Sequence, residues 1–362
     1  MTITLVNAVG KCCLPKSGCQ LIWEKWCLME ALAMEFNVSV AQFGAIFRGI
    51  AILLMSFFAM SIAVGAYAEQ IWMQQDSGTS HELRSVSFAS DGQHGFAVGF
   101  GGTILATSNG GETWVAQDSG TFSELNSVSI SRDGRQGWAV GFGGAILTTS
   151  NGGTTWVQQE SGTPYELRSV SVASDGQHGW AVGFGGTILA TTNGGLAWEP
   201  QASGTMNELR SVTFTADGRT GWAVGFNGTI LSTVDGGETW IRQDSGTSNE
   251  LYSISITSDG RHGWVVGFGG TILTTSDSGG VWKMQSSGTQ HELHSVSVVP
   301  DGGSGWAVGF NGIILATSNG GQAWTVQSSG TSNELRSVHV TADGRTGWAV
   351  GFAGTILAFR PD

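Results

Sequence analysis

The sequence predicts an all-β protein, a seven-bladed β-propeller of seven 42-residue repeats that occupies residues 69–362. The first observation behind this prediction is a Glu-Leu pair that recurs every 42 residues without insertions. The second is the composition, with 57 Gly, 15 Trp and only 5 Pro, which is typical of many short strands joined by tight turns. The glutamates of the repeated pair are Glu82, Glu124, Glu166, Glu208, Glu250, Glu292 and Glu334.

Each repeat contains four short segments rich in β-branched or aromatic residues, which in the first repeat read LRSVSF, GFAVGF, TILATS and WVAQDS. Turn signals of the DG, GG and NGG types separate them, so we predict four strands per repeat, labelled A to D. We expect Val86 and Phe88 on one face of the sheet and Leu83 on the other. Such a sheet needs a neighbour on each side, and the series represented by Trp138 and Trp114 would fill the space between blades.

The two ends of the repeat array complement each other. The last repeat stops at TILAFRPD, after its third strand, whereas EQIWMQQDS, at residues 69–77, matches the pattern of a fourth strand. We therefore expect residues 70–77 to pair with residues 355–360 and to close the ring. Closure of this kind removes sheet edges that would otherwise promote aggregation.

Residues 1–68 are predicted to be an N-terminal extension that ends in a signal peptide. An uncharged apolar run from Gly49 to Ala68 follows Arg48 and ends in the sequence AYA, which resembles a signal-peptidase site. We predict cleavage after Ala68, which leaves a soluble propeller that is exported and works next to a membrane. The alternative is an uncleaved membrane anchor, because the run is long enough to span a bilayer.

The charge and the cysteines narrow the function classes. The chain has 16 Lys and Arg against 28 Asp and Glu, a net charge of −12, and an acidic surface repels phosphate backbones, so no nucleic-acid partner is expected. All four cysteines precede residue 30, so no disulfide or thiolate metal site is expected in the repeats. We predict no metal and no cofactor.

A second motif, T-x-[ND]-x-G-x-x-W, occurs six times, at residues 107–114, 149–156, 191–198, 233–240, 275–282 and 317–324. It resembles the Asp-box, a β-hairpin motif of sialidases and of several non-enzymatic propellers. Asp235 and Asp277, and the asparagines at this position in the other four copies, are predicted to be turn residues that bond to nearby backbone amides. Isolated carboxylates of this kind do not form a calcium site.

Combined with segments of the type GWAVGFGGTIL in every blade, the Asp-box repeat resembles the photosystem II stability and assembly factor family over residues 69–362. The resemblance implies a non-enzymatic propeller, located in the bacterial periplasm or the thylakoid lumen. It also implies a docking platform for a protein client, such as an immature membrane protein or a photosystem II subunit. We expect the propeller to be a monomer.

Antiparallel strand order places the A–B and C–D turns on one face of the ring, and the B–C turns and D–A connections on the other. The D–A connections keep a constant frame, SGTxxEL, with a few varying positions. Aromatic, Met and Arg side chains at varying positions are common anchors of protein interfaces. The predicted partner-binding residues are His81, Arg84, Phe122, Tyr165, Arg168, Met206, Arg210, Tyr252, His291, His294 and Arg336.

Two alternatives remain open for this surface. Glu82 and Arg84 point to the same side of their strand, so the repeated Glu and Arg residues can simply pair with one another around the channel mouth. The A–B turns on the other face also vary between blades, so variability alone does not identify the binding face.

An enzyme is the alternative function, as a sialidase-like glycoside hydrolase or, without catalysis, a carbohydrate-binding propeller. Sialidases need an arginine cluster, a tyrosine nucleophile with a glutamate and an acid. Tyr165, Tyr252, Arg168, Arg210 and Glu250 supply suitable residue types. Catalytic propellers normally carry insertions that enclose a pocket, and this array has none, so we predict that the chain is not an enzyme.

Overall fold

The computed structural model describes residues 72–360 as seven four-stranded antiparallel sheets arranged as a ring. Six sheets contain four consecutive strands, and the seventh combines the first strand of the chain with the last three. The A strand of each sheet packs against the A strands of both neighbouring sheets, so the A strands surround the central channel and the D strands lie outermost. The seven-bladed propeller predicted from the repeats is confirmed.

Strand bounds repeat closely from blade to blade. The A strands are β2 (Leu83–Phe88), β6 (Leu125–Ile130), β10 (Leu167–Val172), β14 (Leu209–Phe214), β18 (Leu251–Ile256), β22 (Leu293–Val298) and β26 (Leu335–Val340). The B strands are β3 (Gly95–Gly99), β7 (Gly137–Gly141), β11 (Gly179–Gly183), β15 (Gly221–Gly225), β19 (Gly263–Gly267), β23 (Gly305–Gly309) and β27 (Gly347–Gly351). The C strands are β4 (Ile104–Thr107), β8 (Ile146–Thr149), β12 (Ile188–Thr191), β16 (Thr229–Thr233), β20 (Ile272–Thr275), β24 (Ile314–Thr317) and β28 (Ile356–Phe359).

The D strands have three residues each. They are β5 (Val115–Gln117), β9 (Val157–Gln159), β13 (Glu199–Gln201), β17 (Ile241–Gln243), β21 (Lys283–Gln285), β25 (Thr325–Gln327) and, for the seventh blade, β1 (Met73–Gln75). A single 3-10 turn joins each B strand to its C strand. These turns are Phe100–Gly102, Phe142–Gly144, Phe184–Gly186, Phe226–Gly228, Phe268–Gly270, Phe310–Gly312 and Phe352–Gly354.

A β-bulge in every A strand corrects one prediction. In the first blade the pairing register shifts between Leu83 and Ser85, so Arg84 is the extra residue. Leu83 is therefore buried in the same cluster as Val86 and Phe88. The prediction that Leu83 lies on the opposite face was wrong, because strict alternation holds only for a strand without a bulge.

The hydrophobic core of the described residues consists of seven clusters, one at each junction between blades. At the junction of the last and first blades, Trp348 stacks on Phe88 with ring centroids 3.5 Å apart, and Trp114 packs against the same cluster. Trp138 of the second blade is 2% exposed and packs into the third blade. The tryptophans fill the spaces between blades, as predicted.

A ring of seven serine hydroxyls links the A strands. Each hydroxyl accepts a hydrogen bond from a backbone amide of the next blade, at 3.1–3.3 Å; for example, Ser85 Oγ accepts from the amide of Val128. The A strand has no strand partner on its channel side, so these bonds satisfy donors that would otherwise lack a protein partner. The serines are Ser85, Ser127, Ser169, Ser211, Ser253, Ser295 and Ser337.

Two glycines per blade are fixed by close backbone approach. A Cβ on Gly99 would collide with the carbonyl of Glu82, and a Cβ on Gly102 would collide with the carbonyl of Thr121. Gly102 also has a φ of +74°, which favours glycine. These contacts hold each B–C turn against the connections before and after it, which explains why both glycines are constant in every repeat.

The ring closes by the predicted pairing of the chain ends. Strand β1 pairs antiparallel with β28, with Met73 opposite Ala358. Trp72 is 4% exposed, packs edge-on against Phe359 with ring centroids 4.7 Å apart, and donates from Nε1 to Gln327 Oε1 at 2.9 Å. The first described residues therefore join both the seventh blade and its neighbour.

The predicted signal segment and the cleavage site after Ala68 lie outside the described residues. Within residues 72–360, no helix is long and apolar enough to cross a bilayer.

Candidate partner-binding site

The structure groups the connections as antiparallel order predicts. The amide of Phe100 in a B–C turn donates to the carbonyl of Glu82 in a D–A connection at 2.9 Å. On the other side of the ring, the amide of Gly110 in a C–D turn donates to the carbonyl of Gln93 in an A–B turn at 2.8 Å. We call the surface formed by the D–A connections, the B–C turns and the bulge residues of the A strands the mouth face.

Glutamates and arginines pair around the channel on the mouth face. Arg168 bridges two blades, with Nη1 2.7 Å from Glu166 Oε1 and Nε 2.7 Å from Glu208 Oε1. Arg210 Nε lies 3.1 Å from the same oxygen of Glu208. The pairing considered as an alternative role for these arginines is therefore present in the structure.

The same pairing continues across the closing junction of the ring. Arg336 lies between Glu82 Oε1, at 2.8 Å, and Glu334 Oε1, at 2.7 Å. Arg84 Nη1 is 3.0 Å from Glu124 Oε2. All four arginines predicted to bind a partner thus already have carboxylate partners within the ring.

Three blades have no arginine at the bulge position: the second carries Asn126, the fifth Tyr252 and the sixth His294. Tyr252 donates to Glu250 Oε2 at 3.0 Å, and burial together with the charges of Glu292 and Glu250 raises the pKa of this phenol. His294 Nε2 lies 2.5 Å from Glu334 Oε1, while burial and two nearby arginines lower the pKa of the imidazole to about 3. The channel mouth therefore has seven glutamates against four arginines. Part of this excess negative charge lies at Glu250 and Glu292, in the fifth and sixth blades, which have no arginine at the bulge position.

Three large side chains on consecutive D–A connections are exposed on the mouth face. Phe122 is 95% exposed, Met206 84% and Tyr165 52%. Three other blades carry a serine at the position of Phe122 and Met206, so the fold does not require a large apolar residue there. The serines are Ser80, Ser248 and Ser332.

The second varying position of the connection serves mainly to tether it. His81 Nδ1 lies 2.8 Å from the hydroxyl of Thr103, 22 residues along the chain, and Asn207 donates to Thr229 at the same distance. Asn249 and Asn333 make the equivalent bond. His81, a predicted partner-binding residue, therefore also has an internal role.

His291 and Tyr165 occupy the same position without such a bond. They lie beside the phenylalanines of their own B–C turns, with ring centroids 5.9 Å from Phe310 and 6.3 Å from Phe184. Both side chains remain exposed.

Sequence reasoning missed a ring of seven phenylalanines at the first residue of the B–C turns. Five are about half exposed, between 48% and 58%. The guanidinium groups of Arg210 and Arg336 lie over the rings of Phe226 and Phe352, each 5.0 Å from the ring centroid, and Phe352 remains 39% exposed. A large aromatic residue inside a glycine-rich turn was the available signal, but these residues do not vary between blades. The five residues that are about half exposed are Phe100, Phe142, Phe184, Phe268 and Phe310.

The exposed aromatic residues border an open depression of about 720 Å³ over the first three blades. Phe100, Phe122 and Phe142 line it, and Arg84 and Arg168 contribute its charged wall. The depression thus combines several of the predicted partner-binding residues with the phenylalanine ring.

The Asp and Asn residues of the T-x-[ND]-x-G-x-x-W motif, on the other face, are turn residues, as predicted. Asp235 Oδ1 accepts from the hydroxyl of Thr233 at 2.7 Å and from the amide of Thr239 at 3.0 Å, and its Oδ2 accepts from the Thr239 hydroxyl. These bonds lower the pKa of Asp235 to about 2. Among residues 72–360, no group of three or more His, Cys, Asp or Glu side chains is placed to hold a metal ion.

The residues considered for glycoside hydrolysis are brought together only in part. Tyr252 and Glu250 form a hydrogen bond, but the raised pKa of Tyr252 opposes its use as a nucleophile. Arg168 is bound between two glutamates of the ring. Arg210, whose guanidinium carbon lies 5.7 Å from the Tyr252 ring centroid, also has a carboxylate partner, Glu208, 3.1 Å from its Nε. Both arginines considered for the sialoside carboxylate are therefore already paired with glutamates.

A family model described as "Photosynthesis system II assembly factor YCF48" matches residues 64–172, 159–245, 203–290 and 239–329. These overlapping matches span more than half of the chain. The chain belongs to this family. The family resemblance drawn from the repeat motifs is therefore confirmed.

Two solved YCF48 structures are similar to the chain. One, described as "YCF48 bound to D1 peptide", has a TM-score of 0.67 at 22% identity and covers 82% of this chain and 96% of its own. The other, YCF48 from Cyanidioschyzon merolae, has a TM-score of 0.67 at 23% identity and covers 80% of this chain and 99% of its own. At these identities the likeness shows a common fold. No curated protein matches the chain.

Proposed function

We propose that this chain is an exported, non-enzymatic assembly factor that docks a protein client of photosystem II on its mouth face. The observation that carries the proposal is the match of the YCF48 family model across the repeats. A structurally similar YCF48 is described as bound to a D1 peptide, which supports a peptide segment as the docking element. The propeller acts as a rigid monomeric platform.

The distribution of exposed side chains favours the first four blades as the docking region. Phe122, Tyr165 and Met206 lie there, beside Arg84, Arg168 and Arg210 of the inner ring. The equivalent connections of the other blades carry serine, glutamine, asparagine and histidine. Exposed aromatic and Met residues next to arginines are typical of interface hot spots.

Export is part of the same proposal. We propose that residues 1–68 direct the chain to a periplasm or thylakoid lumen and are removed after Ala68. N-terminal sequencing of the exported protein tests this step, with Glu69 expected as the first residue. A mature protein that starts far from Glu69, or retains the apolar segment, would contradict it.

Client capture from the native membrane fraction tests the docking function. We expect the wild-type protein to recover photosystem II reaction-centre subunits, and the triple variant Tyr165→Ala, Arg168→Ala, Arg210→Ala to recover several-fold less. Val234→Ser is the matched control, because Val234 is an exposed apolar residue of a C–D turn, on the face opposite the mouth face, where other blades carry serine.

Two results would contradict the proposal. Recovery of unrelated envelope proteins in place of photosystem subunits would indicate a general exported scaffold. Equal recovery by the wild-type protein and the triple variant would move the binding site away from the first four blades.

A further inference from the structure

Three aromatic side chains, Phe100, Phe122 and Phe142, line the depression over the first three blades. Phe100 and Phe142 are about half exposed on either side, and Phe122 stands between the two turns with 95% of its surface exposed. Because other blades fold with serine at the position of Phe122, this aromatic side chain is not needed for the ring. Its exposure is best explained by contact with another molecule.

The charges at the wall of the depression are already compensated. Arg84 pairs with Glu124 at 3.0 Å, and Arg168 pairs with Glu166 at 2.7 Å. Two arginines and two glutamates leave no net charge to attract an ion, and a charged group entering here would have to break an existing pair. The negative charge of the whole chain further disfavours an acidic group.

An uncharged apolar group matches both properties. The three aromatic rings of the lining provide dispersion contacts and remove apolar surface from water, and the charged residues of the lining are already paired with one another. A depression of about 720 Å³ is large enough for several side chains of an extended segment.

We propose that this depression is a subsite for uncharged apolar side chains, of the leucine or phenylalanine class, in an extended segment of the protein client. The proposal rests on the proposed docking function. In this proposal Phe122 selects the client side chain, and Phe100 and Phe142 form the walls of the subsite. The paired glutamates and arginines around the channel do not determine this selection.

Binding of a defined peptide tests the subsite with the purified protein. The probe is a fluorescein-labelled nonapeptide with three central leucines flanked by glycine and serine; a matched peptide has three central aspartates. Fluorescence anisotropy is measured at about 50 mM and about 500 mM NaCl, a range that screens exposed charges. We expect the leucine peptide to bind more tightly than the aspartate peptide, with less than a threefold change between the two salt concentrations.

Substitution separates the subsite from general stickiness. Phe122→Ser introduces the residue that other blades carry, so the melting temperature should not change, and we expect leucine-peptide affinity to fall at least tenfold. Val234→Ser removes an exposed apolar residue from a C–D turn on the opposite face and should leave the affinity unchanged. Equal affinity in wild type and Phe122→Ser, preference for the aspartate peptide, or steep loss of binding with salt would overturn the inference.

Two further outcomes distinguish this inference from the docking function. Undiminished client capture by Phe122→Ser would overturn the subsite while the docking function stands. Peptide binding that depends on Phe122, without capture of photosystem subunits by the wild type, would support the subsite and contradict the proposed client.

Sedimentation with neutral phosphatidylcholine vesicles that depends on Phe122, without peptide binding, would indicate a lipid surface and overturn the inference.

Discussion

Ser337 Oγ accepts a hydrogen bond from the backbone amide of Val86 at 3.3 Å, across the junction between the last and first blades. The equivalent bond is present at all six of the other junctions between blades. At this junction, however, its two partners lie near opposite ends of the repeat array, so the bond is part of the closure of the ring.

Ser337→Ala should lower the free energy of unfolding by about 1 kcal/mol, because the amide of Val86 loses its acceptor. Chemical denaturation followed by tryptophan fluorescence measures this loss. Ser332→Ala, at an exposed residue of the preceding connection, should leave the stability unchanged. An equally small effect of both substitutions would mean that water replaces the serine hydroxyl without cost.

Removal of the Trp72 side chain should weaken the closing strand strongly. Trp72→Ala is expected to cost about 3–5 kcal/mol, because the indole is buried against Phe359 and bonded to Gln327. Trp72→Phe keeps an aromatic ring and should cost less.

Deletion of residues 69–77 should give an unstable or oligomeric protein, as measured by light scattering; a monomer with an unchanged melting temperature would contradict closure by β1.

Ala353→Gly should stabilise the propeller. Ala353 has a φ of +52°, in the left-handed region that most blades assign to glycine at this turn position. Relief of this strain should exceed the entropic cost of glycine and raise the free energy of unfolding by up to about 1 kcal/mol. Gly143→Ala, the reverse change in the second blade, should destabilise the protein. Thermal unfolding of both variants tests the prediction, and a destabilised Ala353→Gly would contradict it.

His339 should make the stability depend on pH. Burial beside Phe88 and Trp348 lowers the pKa of this imidazole to about 4, below its usual 6.5. The folded state thus disfavours the protonated form, so the contribution is intact above pH 6.5 and is lost as the pH falls toward 4. Between pH 7 and pH 4.5 the wild type should lose on the order of 2 kcal/mol more stability than His339→Ser, which carries the residue found at this position in most blades. Parallel pH profiles would contradict this.

The fold could be predicted from the sequence because the repeat shows the length of each blade, the number of its strands and the positions of its turns. Turn residues such as Asp91-Gly92 mark strand ends, and the incomplete last repeat has its missing strand at the start of the array. The predicted face of Leu83 was wrong, because the prediction assumed strict alternation along the strand. The sequence gives no sign of the one-residue bulge between Leu83 and Ser85 that breaks this alternation.

The candidate site was predicted only in part. Variation between blades identified Phe122 and Met206, which are highly exposed. The alternative that glutamates and arginines pair around the channel was also present in the sequence, but the bond from Arg168 to Glu208 joins two blades, so a single repeat does not reveal it. Variation between blades passed over phenylalanines such as Phe142, because a search for differences between repeats ignores what all repeats share.

The pairing of β1 with β28 sets the order in which the propeller is completed. Each of the first six blades consists of four consecutive strands, so it can form once its own segment of the chain is present. The seventh blade can form only when β28, the last strand, pairs with β1, the first. Contacts so distant in sequence form late, because the intervening chain must be ordered first. At high concentration during refolding, we expect β1 of one copy to compete for β28 of another, so strand exchange between copies should begin at this junction.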